Sequence, residues 1–143
     1  MRNPKSFATA FLLFASVAAH SVADEDAAGK LTIELNAAQA QNDACVLSFL
    51  VQNGHATDIE TVVFEAVLFN GEGQVDRLTL FDFGTLPSAR PRVRQFVVPN
   101  LDCDGLSRII FNGASQCTGT GVTPAMCAGQ LSLTSRIATE VSG

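Results

Sequence analysis

Read as a sequence, the chain predicts one all-β domain stapled by two disulfides. Three observations predict it. Apolar and polar residues alternate with period two over most of the length. Turn-forming residues interrupt that alternation roughly every ten residues. Four cysteines, an even number, fall in a chain of 143 residues, which suits one core and not two.

The first element is expected to be removed before the domain folds. Arg2 and Lys5 give a positive start, Phe7 to Ala19 form an apolar run, and Ser21-Val22-Ala23 supply small residues for cleavage. The apolar run is shorter than the roughly 20 residues needed to span a bilayer. Residues 1–23 are therefore expected to be a cleavable secretory signal, 24–29 a disordered acidic tail, and 30–143 the β domain. No cysteine at the cleavage site marks a lipid anchor, and no later run is long enough to span. The mature protein is expected to be periplasmic or secreted, with no membrane insertion.

Leu31, Ile33 and Leu35 alternate with Thr32, Glu34 and Asn36, a half-buried first strand. Cys45, Leu47, Phe49 and Val51 form the more apolar side of a second, which places Cys45 inward and ends at Asn53-Gly54-His55. Residues 61–69, TVVFEAVLF, are β-branched and aromatic on both sides and suit a central third strand. Periodicity leaves a short helix open there. Asn70-Gly71-Glu72-Gly73 predicts a tight hairpin turn into a fourth strand over 75–83, ended by Gly84 and Pro87. A fifth is expected at 93–98 before Pro99-Asn100, a sixth at 108–111 before Asn112-Gly113, and a seventh over 131–137. Seven short strands of this kind match a seven-stranded antiparallel immunoglobulin-like β-sandwich. The buried Trp and corner Tyr of immunoglobulin domains are absent, and seven phenylalanines (49, 64, 69, 81, 83, 96, 111) are expected to fill the core.

In an exported chain, Cys45, Cys103, Cys117 and Cys127 read as two disulfides. Three connectivities are open. The spacing suggests that Cys117 and Cys127 close a local Gly/Thr/Pro loop on itself, leaving Cys45 to Cys103 as the long-range link. No C-x-x-C pair supports zinc.

Without residues 1–23, seven basic residues face fourteen acidic ones, a net charge of −7, and Lys30 is the one lysine. An acidic surface disfavours nucleic acid and anionic lipid.

The stretch LTLFDFGTLPSARPRVRQFVVPNLDCDGLSRIIFNG (78–113), with CVLSFLVQNG (45–54) and the four cysteines, resembles small exported proteins of alphaproteobacteria that are known by their signal sequence. Some of those carry a twin-arginine label, whereas Arg2 stands alone here. The resemblance implies an exported protein and no site residue.

Chemistry-bearing constellations are few. His55 is the one histidine beyond the signal, in a polar turn, and is expected to be solvated. Asn100-Leu101-Asp102-Cys103-Asp104-Gly105 follows the start of a calcium loop, but Phe111 stands where the bidentate Glu belongs, so a structural turn is expected. Neither metal nor cofactor is expected, nor catalysis: paired carboxylates cannot be singled out and no aromatic platform accompanies them. Arg90, Arg92 and Arg94 are the one basic cluster and the best binding candidate. Guanidinium groups there suit a carboxylate, a phosphate or an acidic partner patch. The structural alternative is pairing with Glu72, Asp76 or Asp82, or protection of an edge strand. Two functions follow: a non-catalytic adaptor engaging an envelope protein, or a carrier of small anionic ligands using Arg90–Arg94.

Overall fold

The computed structural model describes residues 28–143. The expected signal at 1–23, and the expected tail as far as residue 27, lie outside them. Gly29 already belongs to the domain, its N–H donating to the Gly54 carbonyl at 2.8 Å. No helix among the described residues is long and apolar enough to cross a membrane.

The chain forms β1 (Leu31–Gln41), β2 (Ala44–Asn53), β3 (Ile59–Phe69), β4 (Val75–Leu86), β5 (Arg92–Pro99), β6 (Arg108–Thr118), α1 (Pro124–Ala128), β7 (Leu131–Ser135) and β8 (Glu140–Ser142). One sheet runs β5-β2-β1-β7 and the other β4-β3-β6-β8. Among the described residues the strands number eight rather than seven. The expected last strand divides because the chain changes sheets: Arg136 N–H bonds Leu35 O beside β1, and Glu140 N–H bonds Ser107 O beside β6. The pairing is also not wholly antiparallel, since β7 runs parallel to β1 and β8 parallel to β6.

Two turn signals proved to be bulges. Asn112-Gly113 does not end β6; Glu65 pairs with Gly113 and Ala66 with Phe111, so Asn112 is the extra residue. Gly113 takes φ +149°, which a side chain would resist. Gly84 likewise sits inside β4 at φ +62°, where the register against β3 shifts. The Cys117–Cys127 segment is not plain loop, because Pro124, pre-set for a first helical position, opens the single turn of α1.

Each sheet turns alternate residues inward, as period two requires. Leu31, Ile33, Leu35, Leu47, Phe49 and Val51 from one sheet meet Val62, Phe64, Leu68, Phe81, Phe83 and Ile109 from the other. Phe49 touches four rings, those of Phe81, Phe83, Phe96 and Phe111, at 5.5–6.0 Å between centroids. Phe69, expected in this core, lies at a strand end under the Arg108 guanidinium instead, 5.9 Å from it. Cys45 is fully buried and joined to Cys103, which ties β2 to the loop before β6; Cys117 is joined to Cys127, which ties β6 to α1. Two disulfides are what an oxidising, extracytoplasmic environment sustains.

Candidate functional site: the β4/β5 flank

The sandwich has two flanks. On one, β7 and β8 edge the two sheets. On the other, β5 edges the first sheet and β4 the second, with residues 87–91 between them. Among the described residues, the large apolar side chains that stay exposed lie on the two edge strands of the second flank or next to them: Val75, Leu78 and Leu80 on β4, Val93 and Val97 on β5, and Leu50 on the neighbouring β2. Leu50 stands directly opposite Val93. Alternation explains the placement. In β4, Phe81 and Phe83 turn inward, so Leu78 and Leu80 must turn out; in β5, Phe96 and Val98 turn inward, so Val93 and Val97 must turn out. Leu78, Leu80, Val93 and Val97 are 58–62% exposed.

The backbone of β5 is half unpaired. Asn100 N–H donates to Asp43 O at 2.7 Å, in the register that sets Ala44 against Pro99. Bonded pairs in an antiparallel ladder recur at every second residue. The even-numbered residues of β5 therefore turn their amides to β2, and Val93, Gln95 and Val97 turn theirs outward.

Two arginines clasp the flank reciprocally. From β5, Arg94 donates through Nε to Phe83 O (2.7 Å) and through Nη2 to Thr85 O (2.9 Å), the carbonyls on either side of Gly84. From β4, Arg77 donates through Nη1 to Pro99 O (2.6 Å) and through Nη2 to Asn100 O (3.0 Å). Asp76 accepts from Arg77 Nε at 2.6 Å. Beside Arg77 lies a groove of about 370 Å³, walled by Thr79, Leu80, Gln95 and Val97 and floored by Phe81 and Phe96. Those two rings stack at 4.6 Å.

The three arginines singled out from sequence thus divide. Arg94 is a strut whose guanidinium is engaged by backbone carbonyls. Arg92 donates through Nη1 to Pro91 O, its one side-chain partner among the described residues, and Arg90 is exposed. None pairs with Glu72, Asp76 or Asp82: the ion pairs among the described residues are Arg77–Asp76, Arg108–Glu140 and Arg136–Glu34. Sequence reasoning missed Arg77, Leu78 and Leu80. The available signal was that residues 78–83 carry large apolar groups on both sides, and an edge strand can bury one side only.

His55 is not merely solvated. Its Nε2 lies 2.8 Å from Met126 O, linking the β2–β3 turn to α1. Its N–H donates to Oδ1 of the buried Asn53, whose Nδ2 donates to Thr57 O and Leu86 O. The Asn100–Gly105 segment is a turn, with Asp102 accepting from the N–H groups of Asp104 and Gly105. No cluster of three or more His, Cys, Asp or Glu suited to a metal occurs among the described residues.

No family model, curated protein or solved structure matches the chain.

Proposed function

We propose that the protein is a non-catalytic periplasmic binding module of immunoglobulin-like architecture, which takes an extended segment of an envelope protein along the edge of β5. One observation carries this reading: every large apolar side chain left exposed among the described residues lies on edge strand β4, on edge strand β5, or, as Leu50, on β2 paired with Val93. Such concentration marks interaction surfaces, whereas scattered exposed residues are ordinary. The outward amides of Val93, Gln95 and Val97 supply the hydrogen bonds of strand addition, and Val93 and Val97 supply side-chain contact. Export is supported by the two disulfides and by the signal-like residues 1–23. The immunoglobulin-like reading is supported by β2 and β6 being central in opposite sheets, with Cys45–Cys103 tying β2 to the loop that enters β6. The engagement of the His55 ring by Met126 O supports a non-catalytic role.

Val97→Pro tests the edge. Proline there removes an outward N–H and leaves the β2 ladder intact, so the domain should fold while strand addition fails. The measurement is photo-crosslinking from residue 93 in intact cells of the host. A discrete partner, crosslinked by the wild type and lost in Val97→Pro, is expected. A partner captured equally by the folded variant overturns the reading.

A further inference from the structure

The β5 edge carries charge of the opposite sign to the rest of the molecule. The chain has fourteen acidic and nine basic residues, yet Arg90, Arg92 and Arg94 fall within five positions at the entry to β5. Arg94 is engaged by carbonyls, which hold its geometry and leave its charge uncompensated. Arg90 and Arg92 take part in no ion pair among the described residues. Beyond them the same edge turns apolar, through Val93 and Val97. An extended segment lying along β5 therefore meets positive charge at the Arg90 and Arg92 end, and Val93 and Val97, with Gln95 between them, farther along.

We infer that the occupant of this edge is an acidic–apolar strand of a partner protein: carboxylates at the end beside Arg90 and Arg92, and apolar residues at alternate positions against Val93 and Val97. The inference rests on the strand-addition reading and names the chemistry of the partner. Charge complementarity selects this occupant, since Arg90 and Arg92 take part in no ion pair among the described residues and an acidic end of the added strand would compensate them; a second copy is an outcome that the test separates. Guanidinium on carboxylate is favourable and bidentate at short range, but surface pairs are individually weak. The arginines therefore set preference and orientation, and the backbone and valines set affinity.

The probes are synthetic peptides of alternating valine and threonine, carrying Glu-Asp-Glu at one end or the other, and matched peptides carrying Gln-Asn-Gln. Binding is read by fluorescence anisotropy and by hydrogen-exchange protection of the Val93, Gln95 and Val97 amides. One acidic peptide should bind about three- to tenfold more tightly than its neutral match at low salt, with the gap closing as ionic strength rises. Arg90→Gln with Arg92→Gln should erase that gap and keep the protection, whereas Val97→Pro should remove binding of both peptides. Equal binding of acidic and neutral peptides, with the amides protected, overturns the acidic preference and leaves the edge reading standing. Failure of every peptide to protect those amides overturns the edge reading itself. Free glutamate or inorganic phosphate titrating Arg90 and Arg92 without amide protection overturns the inference in favour of a small anion. Protection of the same amides by self-association, seen by analytical ultracentrifugation, overturns it in favour of a second copy.

Discussion

The two flanks of this sandwich solve one problem in opposite ways. At the β7/β8 flank, Leu131, Leu133 and Ile137 pack against the core, Val141 is buried in it, and Cys117–Cys127 pins α1 alongside β6. At the β4/β5 flank no disulfide intervenes. Two arginines hold the edges by their carbonyls, and large apolar side chains stay exposed on both edge strands, Leu80 and Val97 beside a groove. A protein that needed only stability would treat both edges as it treats the first, because an exposed apolar edge invites aggregation. The difference teaches where to look for function: the flank secured by reversible polar contacts is the one that offers a surface.

The largest expected effect tests whether the core linkage is shared by both flanks. Replacing Cys45 and Cys103 by Ala should cost about 4 kcal/mol on the chain-entropy account, since 58 residues are closed; replacing Cys117 and Cys127 should cost about 3 or less for a closure of 10. Denaturant unfolding of both variants measures this. Equal losses, or a larger loss for the second pair, would break the view that Cys117–Cys127 is a local device of one flank.

A middle-sized effect divides the arginines. Arg94→Gln should destabilise by about 1–2 kcal/mol, because its loss leaves two cross-edge carbonyls without their charged donor. Arg90→Gln and Arg92→Gln should each stay within about 0.5 kcal/mol. The triple variant should then melt where Arg94→Gln alone melts. Calorimetry that finds the cost spread evenly over the three would show that Arg94 is no clasp.

Much of this was legible in the sequence, for identifiable reasons. Period two placed Leu31, Phe49 and Cys45 inward because a half-buried strand allows one apolar side. The short Cys117–Cys127 spacing pointed to the pairing that the structure has. The strand count was not legible, because Arg136–Thr139 carries no breaker, and the division comes from a change of sheet. Asn112-Gly113 and Gly84 misled, since residues that tolerate positive φ serve bulges and turns alike. At the candidate site the arginines were found by their density, but their separate roles depend on which carbonyls lie across the flank. Phe83 O and Thr85 O come near Arg94 only through the packing of two sheets, and local sequence does not encode that.

The smallest effect sharpens the comparison through pH. Glu34 on β1 accepts from Arg136 Nε at 2.7 Å and from Asn36 Nδ2 at 3.1 Å, joining β1 to the β7–β8 link. Partial burial on its own would raise the Glu34 carboxyl, but the hydrogen bonds from Arg136 and Asn36, with the Arg136 charge, hold it below its ordinary value of 4.5. A carboxyl lowered in the folded state adds stability that is complete above 4.5 and lost as pH falls through the lowered value. The size is below about 1 kcal/mol, because the Arg136 side chain is 68% exposed and solvent screens the pair. The Arg94 clasp has no counterpart to this, since Phe83 O and Thr85 O do not titrate. Acidification below 4.5 should therefore loosen the β7/β8 flank locally and leave the clasp unchanged. Hydrogen exchange at the Arg136 amide, bonded to Leu35 O at 2.9 Å, should accelerate in acid beyond the intrinsic trend, and Glu34→Gln should abolish the extra acceleration. A Glu34 titration midpoint at or above 4.5 by NMR would refute the ion pair as a contributor, and the two flanks would then differ in covalent closure and packing alone.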